Sequence, residues 1–307
     1  MRGRLVDVLD DSRSVLLGSW PMRPFSWLLV GMLVNLVGDV SAEDEIYLKK
    51  SSNPTVGKII RVDEKGVHIQ LSGTSGEVAF PLSGVDRAEV EKPPVLAAGF
   101  NALKNGKNAE AIQVFEPIRT KYRGVPDEWI GRVTFHLGEA YLTSEDWVKA
   151  GECFSEFRKF YSKSDSCDIA ATHEAEALFK SSQTSTALKL LEELMSRKEK
   201  DVSLNDEQNA VLGKASVILG HCYLANNKTD QALESFLKTT TLYYMDKNAV
   251  AEAQYQSALL FEKMNNTLRA RGQLEELLKE SPHSPFASEA KKKLDFMKAR
   301  ALPSTTP

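Results

Sequence analysis

Small and large apolar residues recur at fixed spacings between residues 99 and 274. A Gly or Ala is followed twelve positions later by a second small residue, and four positions after that by a large apolar one. The clearest copies are Gly138, Ala150 and Phe154, and Gly220, Ala232 and Phe236. Two antiparallel helices approach closely only where their side chains are small. The spacing therefore predicts a series of helical hairpins.

Five small anchor residues begin such registers: Gly99, Gly138, Ala175, Gly220 and Ala258. They predict hairpins over about 95–122, 128–161, 168–197, 208–243 and 248–280. A last helix, from Ser284-Pro285 to Arg300, is expected to cap the open end. Nine positions after four of the anchors stand residues that favour helix N-caps, namely Asn108, Thr184, Thr229 and Thr267. In the second hairpin Trp147 takes that place, so Ser144 or Asp146 is expected to cap.

The pattern is different between residues 43 and 92, where β-branched residues alternate with polar ones. Val56 to Val62, Val67 to Ile69, Val78 to Phe80 and Val85 to Val90 predict strands separated by turns at Gly66 and at 72–76. These four runs belong to a segment in which we expect five short strands, and so many strands in so few residues predict a small all-β, barrel-like module. Pro93-Pro94 marks the boundary to the helices.

The hairpin pattern resembles the tetratricopeptide repeat (TPR) family. Leu137-Gly138, Tyr141, Leu219-Gly220 and Tyr223 match its repeat, and Pro282 stands where the last repeat should close. The resemblance implies a mainly α fold, in which an α-solenoid of about five hairpins with a capping helix occupies residues 93–301. The β module resembles an SH3-like or Sm-like barrel in its turns and β-branched residues.

The N-terminal segment has the pattern of a secretory signal peptide. Residues 25–37 are apolar, Arg23 precedes them, and Val40-Ser41-Ala42 supplies small residues for cleavage. We therefore expect a signal peptide at 1–42, with Met22 as an alternative start, and no membrane span after cleavage. An uncleaved anchor is the alternative. Residues 302–307 are expected to form a disordered tail.

Candidate chemistry adds little to this picture. The formal net charge is −3, which disfavours a nucleic-acid partner, and the five histidines lack metal-ligand spacing with cysteines or carboxylates. Phosphate-binding loops and nucleophile motifs are missing from the sequence. We therefore expect a protein that is not an enzyme and has no catalytic residue, metal, cofactor or small-molecule substrate.

The resemblance implies that the first helix of each hairpin lines a concave binding face. Its positions lie three before, one after and four after each anchor. They give the candidate partner-binding residues Phe135, Glu139, Leu142, Glu176, Phe179, His221, Leu224, Tyr255 and Glu262, with Thr172, Val217 and Leu259 at the remaining places. The family's Lys and Asn clamp for a terminal carboxylate is absent from these positions. Their apolar and acidic mixture favours a basic partner segment, although several apolar members could instead pack between repeats.

Two functions are consistent with these features. The first is an exported, non-enzymatic scaffold, periplasmic in location, that binds a protein partner in bacterial cell-envelope assembly or maintenance. The alternative is a cytoplasmic RNA-associated protein that uses an Sm-like barrel. The signal-peptide pattern favours the first.

Overall fold

Alternating apolar residues from 44 to 89 form an antiparallel sheet in the computed structural model, which describes residues 43–199 and 203–301. The strands are β1 (Asp44–Leu48), β2 (Thr55–Asp63), β3 (Gly66–Leu71), β4 (Glu77–Phe80) and β5 (Val85–Glu89). Their order across the sheet is β4-β3-β2-β1-β5, and all neighbours are antiparallel. The predicted β module is therefore a small antiparallel sheet, in which each strand pairs with its neighbours in that order.

Helical hairpins follow at the places that the apolar spacing predicts. The first helices are α1 (Leu96–Lys104), α3 (Glu128–Thr143), α5 (Cys167–Lys180), α7 (Asp206–Ala225) and α9 (Lys247–Lys263). Their second helices are α2 (Asn108–Tyr122), α4 (Trp147–Phe160), α6 (Thr184–Lys198), α8 (Thr229–Thr241) and α10 (Thr267–Glu280). A last helix, α11 (Ala287–Ala301), packs on α10. The predicted solenoid of five hairpins with a capping helix is confirmed.

The small anchors bring the two helices of a hairpin together. A Cβ atom added to Gly220 would lie 2.6 Å from a ring carbon of Phe236, and one added to Gly138 would lie 2.8 Å from Phe154. Such distances exclude any side chain at these glycines unless the rings move. The second small residue and the large apolar residue are fully buried in all five hairpins.

The predicted helix caps are correct in one hairpin and wrong by one residue in the others. Asp146 caps α4 by accepting a hydrogen bond from the Lys149 amide. The caps of α2, α6, α8 and α10 instead lie one residue before the predicted positions. The carbonyls of residues 107, 183, 228 and 266 accept the first intrahelical bonds. The polar residues at the predicted positions are consequently first-turn residues, namely Asn108, Thr184, Thr229 and Thr267.

The sheet and the first two hairpins share one hydrophobic core. Ile46, Ile59 and Ile69 of the sheet belong to the same cluster as Phe115 and Trp129 of the helices. The indole nitrogen of Trp129 donates to the Val90 carbonyl at 3.0 Å, and the Ala88 amide donates to the Pro126 carbonyl at the same distance. These contacts hold the end of β5 against the start of α3.

Some predicted features lie outside the described residues. These are the signal peptide at 1–42, with its alternative start at Met22, and the tail at 302–307. Of the helices in the described part of the chain, none combines the length and the apolar content that a membrane span requires.

Candidate functional site

A groove lies along the first helices of the third, fourth and fifth hairpins. Its volume is about 630 Å³, and the loop that leads into α11 contributes to its lining. We call it the α5–α9 groove. It is lined by Glu176, Phe179 and Lys180 of α5, Lys214, Val217, Ile218 and His221 of α7, Asn248, Ala249 and Glu252 of α9, and Asp246, Pro285 and Phe286 of the adjoining loops.

Two stacked ring pairs border this groove. Phe179 and His221 stack with ring centroids 6.1 Å apart, and this pair joins α5 to α7. Phe286, which lines the groove, stacks on Tyr255 of α9 at 5.7 Å. Since all four rings are partly exposed, they offer apolar surface to a side chain that enters the groove.

One ion pair and one contact between an imidazole and a carboxylate connect the neighbouring first helices beside the rings. Glu176 of α5 lies 2.8 Å from the Lys214 ammonium of α7, and the His221 imidazole of α7 lies 2.7 Å from the Glu252 carboxylate of α9. Both pairs join the position one after an anchor to the position six before the next anchor. The same two positions thus link successive hairpins along this face.

The pKa of Glu176 shows that neighbouring residues stabilise the charge of its carboxylate. Burial by itself raises the pKa of this carboxyl. The neighbouring His173 and Lys214 outweigh that effect and lower the pKa from its ordinary 4.5 to about 2. The Glu176 carboxylate is therefore ionised at neutral pH and has its interaction partners within the chain.

The structure brings three of the nine candidate residues into this groove, namely Glu176, Phe179 and His221. Tyr255 adjoins it through Phe286. Glu262 is 2.7 Å from Lys293 of α11, so it belongs to the contact between α9 and the last helix. Leu224 packs against the core of the third to fifth hairpins.

The candidates on α3 occupy a separate place. Phe135 is 9% exposed, packs on Phe154 and Phe157, and touches a second groove of about 710 Å³ that reaches the sheet. Glu139 pairs with the His136 imidazole at 2.7 Å. These residues are therefore not part of the α5–α9 groove.

Several of the apolar candidates are structural. Leu142 packs against the core of the first two hairpins. Phe135, Thr172 and Val217, which stand three positions before their anchors, are all buried. In these three hairpins that position therefore contributes mainly to packing between helices, whereas its fourth candidate, Tyr255, is partly exposed.

Sequence reasoning missed Lys214, Glu252 and Phe286. The first two lie six positions before their anchors, one helical turn beyond the last predicted position. Extending the same helical face by one turn would have found both. Phe286 precedes α11 by one residue, and no repeat spacing predicts its stacking on Tyr255.

The carboxylates on this face have partners within the chain. Glu139, Glu176 and Glu262, the three acidic candidates, pair with His136, Lys214 and Lys293 respectively. The expectation of a basic partner segment rested on the acidic bias of these positions, and it stays a prediction. In the α5–α9 groove, the partly exposed rings provide apolar contacts beside the Glu176 carboxylate.

Metal-ligand clusters and thiols are two kinds of reactive group that can be assessed in the described part of the chain. Within residues 43–199 and 203–301, no three His, Cys, Asp or Glu side chains are arranged to hold a metal ion. Burial raises the pKa of the Cys153 and Cys222 thiols to about 12. Both thiols are therefore protonated at neutral pH and pack as small apolar residues.

A sequence comparison identifies one repeat of this array. The tetratricopeptide repeat model matches residues 252–284, which include most of α9, all of α10 and the following loop. No curated protein sequence is significantly similar to the chain.

Solved structures show similar helical arrays at low identity. One is MamA (residues 41 to the end) from Desulfovibrio magneticus RS-1, with 14% identity and a TM-score of 0.47, covering 62% of this chain and 94% of that one. Another is YrrB, described as a TPR protein with an unusual peptide-binding site, with 18% identity and a TM-score of 0.45. It covers 65% of this chain and 91% of that one.

Proposed function

We propose that this chain, a helical-hairpin array with a tetratricopeptide repeat at residues 252–284, is a non-catalytic scaffold that binds a segment of a protein partner in the α5–α9 groove. Arrays of this family generally serve protein interaction rather than catalysis. The observation that carries the proposal is the presence of two stacked ring pairs, Phe179 with His221 and Tyr255 with Phe286, at one open groove.

The groove favours an extended segment with an aromatic or large aliphatic side chain. Val217, Ile218 and Ala249 also line the groove, although each is more than nine-tenths buried and presents little surface. Aromatic anchors in such pockets carry a large share of interface energy. The lining carboxylates Glu176 and Glu252 already have internal partners, and Asp246 accepts hydrogen bonds from the Asn248 and Ala249 amides. We therefore expect the apolar anchor, rather than charge, to dominate affinity in this groove.

Peptide selection tests this proposal because it does not require the identity of the partner. A random peptide library displayed on phage would be selected on the wild-type protein and, in parallel, on the Phe179→Ala, Phe286→Ala double variant. We expect peptides with a shared aromatic or aliphatic anchor from the wild type, and their loss from the variant. Equal recovery of the same peptides on a folded variant would contradict the proposal.

We further propose that the protein is exported and acts in the periplasm, in assembly or maintenance of the cell envelope. The support is the sequence pattern of residues 23–42: a basic residue, an apolar run and a small-residue cleavage motif. Mass spectrometry of the protein from its native host should find a mature N-terminus at Glu43. An intact N-terminus on cytoplasmic protein would contradict export and favour the RNA-associated alternative.

A further inference from the structure

The last helix continues the register of the first helices, because the loop before α11 repeats the hydrogen bonds of the loop before α5. The two loops are residues 161–167 and 281–287. In each, the amide of the fourth residue donates to the carbonyl of the first, and the amide of the seventh donates to the carbonyl of the fourth. Residues 281–287 therefore correspond to 161–167, and α11 corresponds to α5.

This correspondence assigns each residue of α11 a place on the first-helix face. Asp295 corresponds to the anchor Ala175, and Phe296 corresponds to Glu176, one position after the anchor. Lys292 falls three positions before the anchor, on the same face. The residues that bury α11 against the fifth hairpin are Ala290, Leu294 and Met297.

Phe296 is unusual for a helix that only covers the end of an array. Its side chain is 57% exposed, although a capping helix needs a polar outer face. The Arg300 guanidinium lies 5.5 Å from the Phe296 ring centroid. Lys292 and Arg300 stand one helical turn before and after Phe296, so an aromatic ring lies between two cations.

The charge of this surface is mainly positive, since α11 carries five basic and two acidic residues. Two other lysines of α11 pair with carboxylates of the fifth hairpin. Among the described residues, Lys291, Lys292 and Arg300 have no carboxylate partner within ion-pair distance. Two exposed carboxylates, Glu289 and Asp295, lie on the same helix, and Glu289 accepts a hydrogen bond from the Tyr255 hydroxyl. This contrasts with the α5–α9 groove, whose anions pair internally.

We propose that Lys292, Phe296 and Arg300 form a second docking point, for an acidic segment of a protein partner that carries an apolar side chain. The apolar side chain contacts Phe296, and the carboxylates of the segment pair with Lys292 and Arg300. The proposal rests on the proposed function, because it extends the same binding face to the last helix.

Fluorescence anisotropy with two labelled peptides tests this proposal on the whole protein. One peptide is Asp-Glu-Phe-Asp-Leu-Glu-Asp, and the other has Lys at every acidic position. We expect binding of the acidic peptide only, weaker at higher salt. Phe296→Ala and Lys292→Glu should each weaken it by about tenfold. Val148→Ala, at another exposed apolar residue on α4, should leave it unchanged.

Other results would overturn the proposal. Equal binding of both peptides, or binding that survives both α11 variants, would remove the docking point. Binding of phosphatidylserine vesicles instead of the peptide would assign the surface to lipid. Self-association abolished by Phe296→Ala in sedimentation experiments would assign it to a second copy. If one of these results is found while library peptides still require the α5–α9 groove, only this inference fails and the proposed function stands.

Discussion

At the residue scale, the anchor glycines decide whether a hairpin closes. A Cβ at Gly220 would lie 2.6 Å from Phe236, whereas one at Gly272 of α10 would meet no atom within 4 Å beyond its own helix and chain neighbours. We expect Gly220→Ala to lower the free energy of unfolding by about 1–3 kcal/mol. The matched Gly272→Ala should be neutral or stabilising by up to about 1 kcal/mol. Urea unfolding measures both, and equal effects would contradict the assigned crossing.

The Glu176 carboxylate should give stability a specific dependence on pH. Burial opposes its ionisation, but His173 and Lys214 outweigh that effect and lower its pKa from 4.5 to about 2 in the folded protein. Its contribution is therefore complete above pH 4.5 and is lost as the pH falls toward 2. The stability difference between wild type and Glu176→Gln should shrink over that range. A difference independent of pH would contradict the pairing.

At the element scale, all five hairpin turns place one residue in the left-handed region. It lies seven positions after each anchor: Gly106, Glu145, Ser182, Asn227 and Asn265, with φ between 58° and 71°. Only Gly adopts this conformation without steric cost. Glu145→Gly should therefore stabilise the protein by about 0.5–1 kcal/mol, and Gly106→Ala should destabilise it by a similar amount. Thermal melts check both signs.

Much of the fold was predictable because the contacts within a hairpin follow a fixed spacing along the chain. Gly138 with Phe154 and Gly220 with Phe236 specify where two helices cross, so the hairpin positions agree closely with the structure. The N-caps were predicted one residue too late, because Thr and Asn also occur in the first turns of helices. The turn residue Glu145 carries no sequence signal, since its conformation follows from the closed hairpin around it.

The candidate site was less predictable, since it depends on the offset between neighbouring hairpins. The pair Glu176 and Lys214 joins two repeats, and spacing within one repeat does not give that offset. The stacking of Phe286 on Tyr255 depends in addition on the loop before α11. Sequence reasoning therefore found one side of the groove and missed the residues that face it.

At the scale of the whole molecule, the sheet and the helices should unfold together. Trp129 is 5% exposed and donates its indole proton to Val90 at the end of the sheet. Trp129→Phe should cost about 1–3 kcal/mol, because it leaves the buried carbonyl without its donor. The partly exposed Trp147 provides a control, and Trp147→Phe should cost less. Two separate transitions in urea would contradict a shared core.

The central claim is that the α5–α9 groove binds a protein segment through an apolar anchor. The most direct measurement is the Kd of a library-selected peptide for wild type, Phe286→Ala and the control Val148→Ala, with each variant verified as folded. We predict that Phe286→Ala raises the Kd about tenfold or more, while Val148→Ala leaves it unchanged. An unchanged Kd for Phe286→Ala would contradict the claim.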